Sequence, residues 1–275
     1  LTIKDLLSNK SEISDENTDM TDYDRLATLV NRFSLSVEYA PLGKANLLVT
    51  ANQEGAPGLV HFLVQPSETF RPDKPVIFSA RVDWGGRSNP LIAALPDRVE
   101  FDLIRHKDSA ELVKLMQWEF TSRRCGVDSV VNRLGEVLII RMLRALIEAG
   151  STQPGLLAGL SDPRLSRAIV AIHDQPGHNW NNESLAAIAG LSLSRFAELF
   201  LAMVGETPAA YLRKWRLTLA RQDVAKGDRI NAIARRYGYR SPEGFARAFK
   251  NQFGENPMMR RPSLPIQLVS DGVVL

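Results

Sequence analysis

"SLAAIAGLSLSRFAELFLAMVGETP" (Ser184–Pro208) is followed about fifty residues on by "IARRYGYRSPEGFARAFKNQFGENP" (Ile233–Pro257). In each stretch a short amphipathic helix runs into a glycine: Leu185, Ala186 and Ala189 before Gly190, and Ile233, Ala234 and Tyr237 before Gly238. An apolar residue follows, Leu191 or Tyr239, and then a polar one, Ser192 or Arg240. A second helix then sets Phe196 and Phe200, or Phe245 and Phe249, at i, i+4 on one face. Glycine suits a tight joint that needs positive φ, and small alanines let the second helix cross the first closely. This grammar predicts two helix-turn-helix units, whose second helices offer their outward faces to a DNA major groove. Both copies close on Gly-Glu-x-Pro, at Gly205–Pro208 and Gly254–Pro257.

The copies are offset by 48 residues before the joint and 49 after it, so the second turn is one residue longer. Between them Tyr211–Gly227 reads as one long helix with Leu212, Trp215, Leu219 and Ala220 inward. A rigid connector would hold two reading helices about one DNA turn apart, ~34 Å, so that both enter successive major grooves.

Charge is divided along the chain in the same way. The 275 residues carry a net +3, yet Arg164–Pro262 holds sixteen Lys/Arg against eight Asp/Glu, a net +8. The rest keeps 18 of the 34 basic and 23 of the 31 acidic residues, a net −5. Only the repeat-bearing third has the balance expected of a polyanion partner.

Ahead of the repeat the text changes character. A polar, turn-prone start gives way near Asp22 to a helix-compatible stretch ending at Phe33. Short runs rich in Val, Leu, Phe and Tyr follow: "SLSVEYA", "ANLLVTA", "LVHFLVQ" and "PVIFSARV", separated by Gly, Pro and Asn. "WGGRSNPLIAALPDRVEFDLI" adds a turn, a helical piece and another strand. Two helices are expected over Asp108–Ser122 and Asp128–Ala149, and "AGSTQPG" (Ala149–Gly155) reads as the linker. The fold expected is α+β in two domains: a small β-barrel with two following helices, then an all-α domain with two helix-turn-helix motifs. The divisions are 1–150, a linker over 151–161, 162–262, and a C-terminal tail over 263–275.

The chain resembles the AraC/XylS family of bacterial transcription regulators. The resemblance covers about Asp162 to Arg261 and rests on "LAAIAGLS", "FAELF", "VGETPAAYLRKWRL", "IARRYGYRSPEGFARAFK" and "FGENP". Upstream, "NPLIAALP", "RRCGVDSVVNRLGEVLIIRMLRALI" and "LSDPRLSRAIVAIHDQPGHNW" look like the subgroup with an N-terminal cupin-type sensor. The resemblance implies a sequence-specific activator whose partners are double-stranded promoter DNA, RNA polymerase and a small effector. One position departs: the family usually has x-x-Tyr-Arg after the last proline, whereas Pro257 is followed by "MMRR", with Arg260 in the aromatic's place.

By analogy with the family, Ser194, Arg195, Ala197 and Glu198, with Leu201 beside them, form the outward face of the first reading helix. Arg195 has the chemistry for guanine O6/N7 and Glu198 for a cytosine amino group; Glu198 also fits an ordinary solvated helix carboxylate. In the second reading helix Glu243, Gly244, Arg247 and Lys250 face outward if Phe245 and Phe249 face in, and Arg247 is the leading candidate for base or phosphate contact. Ser192, Arg240 and Asn251 sit where helix starts or flanks meet phosphates. Asn181 reads as the N-cap of the supporting helix. Trp180, Trp215, His173 and His178 read as structural.

The front part lacks the signs of an enzyme. His61 on "LVHFLVQ", Glu68 and the distant His106 do not form a cupin metal cluster, there is no His-x-His, and no metal or cofactor is expected. "DWGG" (Asp83–Gly86) is a Gly-rich turn without the rest of a phosphate loop, and no Gly-x-Ser-x-Gly elbow is present. A small barrel does make an apolar pocket, so this part is expected to bind a small effector or to dimerise the chain. The stripe Val131, Leu134, Leu138, Met142 and Leu146 serves as a homodimer surface or packs on its own barrel. A lone Cys125 forms no internal disulfide. The longest apolar run, "VLIIRMLRALI" (Val137–Ile147), is cut by Arg141 and Arg144. It falls short of the ~20 apolar residues of a membrane span, and the start has no signal-peptide core. A cytoplasmic protein is expected.

Overall fold

A computed structural model describes residues 24–86, 89–150 and 153–260, with the backbone alone at 259 and 260. The polar start, the tail over 263–275 and the side chain of Arg260 lie outside the described residues. Five short strands follow α1 (Ala27–Arg32): β1 (Ser36–Tyr39), β2 (Leu47–Ala51), β3 (Pro57–Leu63), β4 (Val76–Asp83) and β5 (Arg98–Asp102), with α2 (Pro90–Ala94) before the last. They pair as one antiparallel sheet in the order β1-β4-β2-β3-β5, so β1 and β5 are its edges. The expected β-rich front part is thus present as an antiparallel sheet, and helices close its open side.

Side-chain alternation sorts the sheet's two faces. Leu47 and Val49 on β2, and Val60 and Phe62 on β3, enter the main core. Leu48 faces the other way, into a small cluster with Ala40 and Ala45 packed under Phe70 and Val76. His61 lies on that second face, its ring 5.5 Å from Phe70.

The main-core face is covered by the helical hairpin of α3 (Lys107–Ser122) and α4 (Val127–Ala149). The stripe offered as a dimer surface belongs to this packing. Val131, Leu138 and Met142 are buried, and Leu134 and Leu146 are partly buried against the same core. The face that α4 buries runs Val131, Gly135, Leu138, Ile139, Met142, Leu143 and Ile147. Gly135 explains the orientation: a Cβ there would lie 2.5 Å from a Val37 methyl, so the missing side chain lets β1 lie against the helix. Asn132 completes the seam by accepting the Val37 amide at 2.6 Å on the edge strand. The stripe thus packs within its own chain, the second of the two expected readings.

The interval expected as a linker, 151–161, also differs. Leu156–Ser161 forms α5, and Leu156, Leu157, Ala158 and Leu160 are buried. Pro154 and Gly155 start a helix whose apolar run "LLAGL" has no solvated face to offer, so it packs. Gly159 meets Ile169 and Val204 with no room for a Cβ.

Beyond it come α6 (Pro163–Asp174), α7 (Asn182–Ala189), α8 (Leu193–Val204), α9 (Pro208–Ala225), α10 (Ile230–Arg236) and α11 (Pro242–Phe253), then a closing 3-10 turn (Pro257–Arg260). Asp162 caps α6 and Thr207 caps α9, each with proline in the first turn. Front and rear parts share one continuous apolar core. Arg25 donates to the Leu160 carbonyl at 3.0 Å, Thr28 bonds Asp174, and the rings of Phe33 and Trp215 lie 6.3 Å apart. Among the described residues no single helix is long and apolar enough to cross a membrane.

Candidate nucleic-acid interface

The two repeats fold as two copies of one joint. Gly190 ends α7 at φ 66°, its amide donating to Ala187 at 3.0 Å, while the Leu191 amide reaches Ala186 at 2.9 Å. Gly238 follows α10 at φ 72°, its amide donating to Arg235 at 3.1 Å, while the Tyr239 amide reaches Ala234 at 2.9 Å. This six-to-one closure puts glycine in the left-handed region, where a Cβ is strained. Each second helix also ends on a positive-φ glycine, Gly205 or Gly254.

Aromatic pairs lock both units. Phe196 and Phe200 on α8, and Phe245 and Phe249 on α11, are fully buried, with ring centroids 5.5 and 5.7 Å apart. Burying each such ring contributes roughly 1.5–3 kcal/mol, and it fixes which face of the helix remains outside. Asn181 caps α7 as expected: its Oδ1 accepts the Ser184 amide at 2.8 Å, and Ser184 Oγ accepts the Asn181 amide at 3.2 Å.

The outward faces hold the expected residues. Ser192, Ser194, Arg195, Glu198 and Leu201 are exposed at the start and along α8, and Ala197 is half-buried. Arg195 and Glu198 are 3.8 Å apart, an exposed pair worth little in water, so neither is committed to the other. Arg240, Glu243, Gly244, Arg247, Lys250 and Asn251 are exposed on and beside α11. Ser241, which sequence reading passed over for its neighbour Arg240, caps α11 by accepting the Gly244 amide at 3.1 Å. Its signal was present: serine, then proline, is a helix start.

The long connector α9 is tied to both units. On its buried side Trp215 is 2% exposed, and His173 Nε2 and the Tyr211 hydroxyl lie 2.6 Å apart. Burial pulls the His173 imidazole down to about 3 and pushes the Tyr211 phenol up. Toward the first unit, Arg216 donates from Nε to the Pro176 carbonyl at 2.6 Å and from Nη2 to the His178 carbonyl at 2.7 Å. Toward the second, Asp223 accepts Arg236 at 2.6 Å and the Tyr237 hydroxyl at 2.7 Å. Burial, then the Asp223 bond, pushes the Tyr237 phenol up. Neither Arg216 nor Asp223 sits in a sequence motif that announces these contacts. Trp180 is half-buried and bonds the Gln175 carbonyl at 2.9 Å, beside His178.

Among the described residues no group of three or more His, Cys, Asp or Glu is placed to hold a metal ion. Two exposed helices on a braced scaffold, each seated by a buried aromatic pair, define a double helix-turn-helix domain behind a β-rich domain. Family profiles agree in both halves: a helix-turn-helix domain matches residues 185–261 and a cupin domain matches 48–148. An HTH-type transcriptional regulator of Haemophilus influenzae is 33% identical over 177 residues, 64% of this chain and 59% of that protein. The HTH-type transcriptional regulator AlkR of Acinetobacter baylyi is 34% identical over 197 residues, 69% of this chain and 64% of that protein. The RCS-specific HTH-type transcriptional activator RclR of Escherichia coli K12 is 34% identical over 168 residues, 61% and 57% of the two chains. The matched region thus spans about three fifths of these relatives' length. With its cupin and helix-turn-helix halves in this order, the chain is similar to AraC-like regulators, among them a putative AraC-like transcription regulator of Streptomyces antibioticus, 36% identical over 141 residues, 50% of this chain and 46% of that protein.

Proposed function

We propose that the chain is a sequence-specific transcriptional regulator that reads double-stranded DNA with α8 and α11 together. The observation that carries this reading is the pair of matching joints: each buries its phenylalanines inward and leaves polar side chains on the outward helix face, within the +8 segment. Arg195 and Arg247 are the base-reading candidates, with Ser194, Ala197, Glu198, Glu243, Gly244 and Lys250 around them. Ser192, Arg240 and Asn251 hold phosphates. The domain boundary falls at 150–155, with the reader beginning at α5.

The front domain senses a small effector and is not an enzyme; the regulator names of the relatives support this. Activation, with RNA polymerase as a partner, is supported by the name of the Escherichia coli relative. A chain that reads chromosomal DNA works in the cytoplasm.

Mobility shifts with duplex fragments of the native genome test the reading. Tight retention of a subset of fragments is expected, with log affinity falling linearly in log salt as phosphate contacts release counterions. Failure to retain any duplex at low ionic strength would overturn it.

A further inference from the structure

The buried phenylalanines put the two repeats in register at 49 residues, Phe196 with Phe245 and Phe200 with Phe249. Each outward position on α8 therefore has a counterpart on α11. Glu198 stands where α11 has Arg247, and Leu201 stands where it has Lys250. The scaffolds match and the outward chemistry does not. On α11 two cations, Arg247 and Lys250, outweigh Glu243. On α8 Arg195 and Glu198 oppose one another across 3.8 Å, so that face carries no net charge.

In place of charge, α8 shows an apolar stripe. Leu193, Ala197 and Leu201 recur at four-residue steps along one flank of the outward face. Leu193 is 44% exposed and Leu201 50%, with Ala197 half-buried between them. The packing of the helix does not use them, because its buried seam is Phe196, Phe200 and Val204. Apolar surface held in water is unfavourable. Here it lies beside Ser194 and Arg195, on the side that the Gly190 joint turns away from the core.

We propose that α8 reads thymine: Ala197 and Leu201 meet the C5 methyl groups of a thymine-rich half-site, with Leu193 at the edge of the contact, whereas α11 engages its half-site through charge. Neither an alanine nor a leucine side chain can donate or accept a hydrogen bond. The thymine methyl is the apolar group that the major groove displays, so it is the partner such side chains fit. Over a C·G pair the same leucine covers the cytosine amino group without bonding it, and a donor left unmade costs affinity. The stripe thus selects by attraction and by penalty together. The proposal rests on reading the chain as a regulator that inserts α8 and α11 into DNA.

Mobility shifts of the full chain test it. A genomic duplex that the chain retains is amplified with deoxyuridine triphosphate in place of thymidine triphosphate, which keeps every base pair and removes every thymine methyl. The native chain is expected to bind this duplex more weakly, by about fourfold for each methyl contacted, the worth of one buried methyl group. Leu201→Ala, a change at an exposed helix position, is expected to narrow that ratio by about twofold or more and to leave the salt slope as it was. Lys250→Ala is expected to keep the ratio and to lower the slope by about one. Removing methyls also alters the bending of the duplex, but all three chains meet that change alike, so the ratios isolate the contact. Synthetic duplexes with deoxyuridine in one half of the footprinted site place it: only one half is expected to lose its methyl sensitivity in Leu201→Ala. Equal binding of the thymine and deoxyuridine duplexes by the native chain, or an unchanged ratio in Leu201→Ala, would overturn the thymine reading and leave the regulator reading standing. Retention of no duplex at all would remove the regulator reading, and the thymine reading with it.

Discussion

The hydroxyl of Tyr237, at the joint of the second helix-turn-helix, donates to Asp223 on the connector over 2.7 Å, and the same carboxylate oxygen receives Arg236 at 2.6 Å. Asp223 is 8% exposed, so this oxygen is the anchor through which α9 positions the second reader. Asp223→Ala strands the buried Tyr237 phenol, while Arg236 keeps its bond to Asp228 at 2.7 Å, and a loss of about 1–3 kcal/mol is expected. Urea denaturation of the full chain measures it. A loss under about 0.5 kcal/mol, the size of an ordinary surface change, would mean the anchor carries no load.

Gly177, in the turn between α6 and α7, presses on the second unit: a Cβ there would lie 2.2 Å from the Arg236 carbonyl oxygen. Backbone cannot rotate aside as a side-chain tip can. Gly177→Ala is expected to destabilise by about 1–3 kcal/mol, the usual range for overpacking. Gly43→Ala meets nothing within 4 Å and serves as the control. Equal thermal midpoints for the two variants would contradict the close approach.

The α4 stripe makes a prediction opposite to that of a dimer surface. Leu138 is 1% exposed within its own chain, so Leu138→Ala should lower stability by about 2–5 kcal/mol. Light scattering should show no change in oligomeric state for whatever fraction remains folded. A stable variant with altered mass would restore the dimer reading.

His173 gives the fold an acid-side dependence. Its folded value, about 3, lies below the ordinary 6.5, so below pH 6.5 the unfolded chain binds the extra proton. Stability is therefore full above about 6.5 and is lost as pH falls toward 3, by up to about 1.4 kcal/mol per pH unit. Burial also lowers His61, which adds in the same sense. Comparing denaturant midpoints at pH 6.5 and 5 in the native chain, His173→Gln and His61→Gln apportions the slope. A native chain equally stable at both values would contradict the neutral buried imidazole.

Arg247 is exposed on α11 and has no role in the packing described above. Arg247→Ala should leave thermal stability within about 0.5 kcal/mol and weaken specific DNA binding by about 1–3 kcal/mol. Unchanged mobility shifts on the native operator would remove Arg247 from the interface.

Local chemistry was enough to read the joints. A glycine at positive φ, alanines at the crossing and phenylalanines at i, i+4 act over a few residues, so Gly190, Gly238 and the outward faces of α8 and α11 were legible in order along the chain. The capping by Asn181 was legible for the same reason, and the strands were legible because alternation and turn residues are short-range signals. Tertiary packing decided the rest. The 3.6-residue rhythm of α4 marked an apolar stripe without telling which surface it meets, and Gly135 against Val37 settled that only once β1 lay beside it. "LLAGL" turned out to be a buried helix because Ile169 and Val204 come from elsewhere to cover it. The contacts of Arg216 and Asp223 likewise have no sequence signature: their partners are brought together by folding, and the meeting is a property of the arrangement, which no stretch of residues encodes alone.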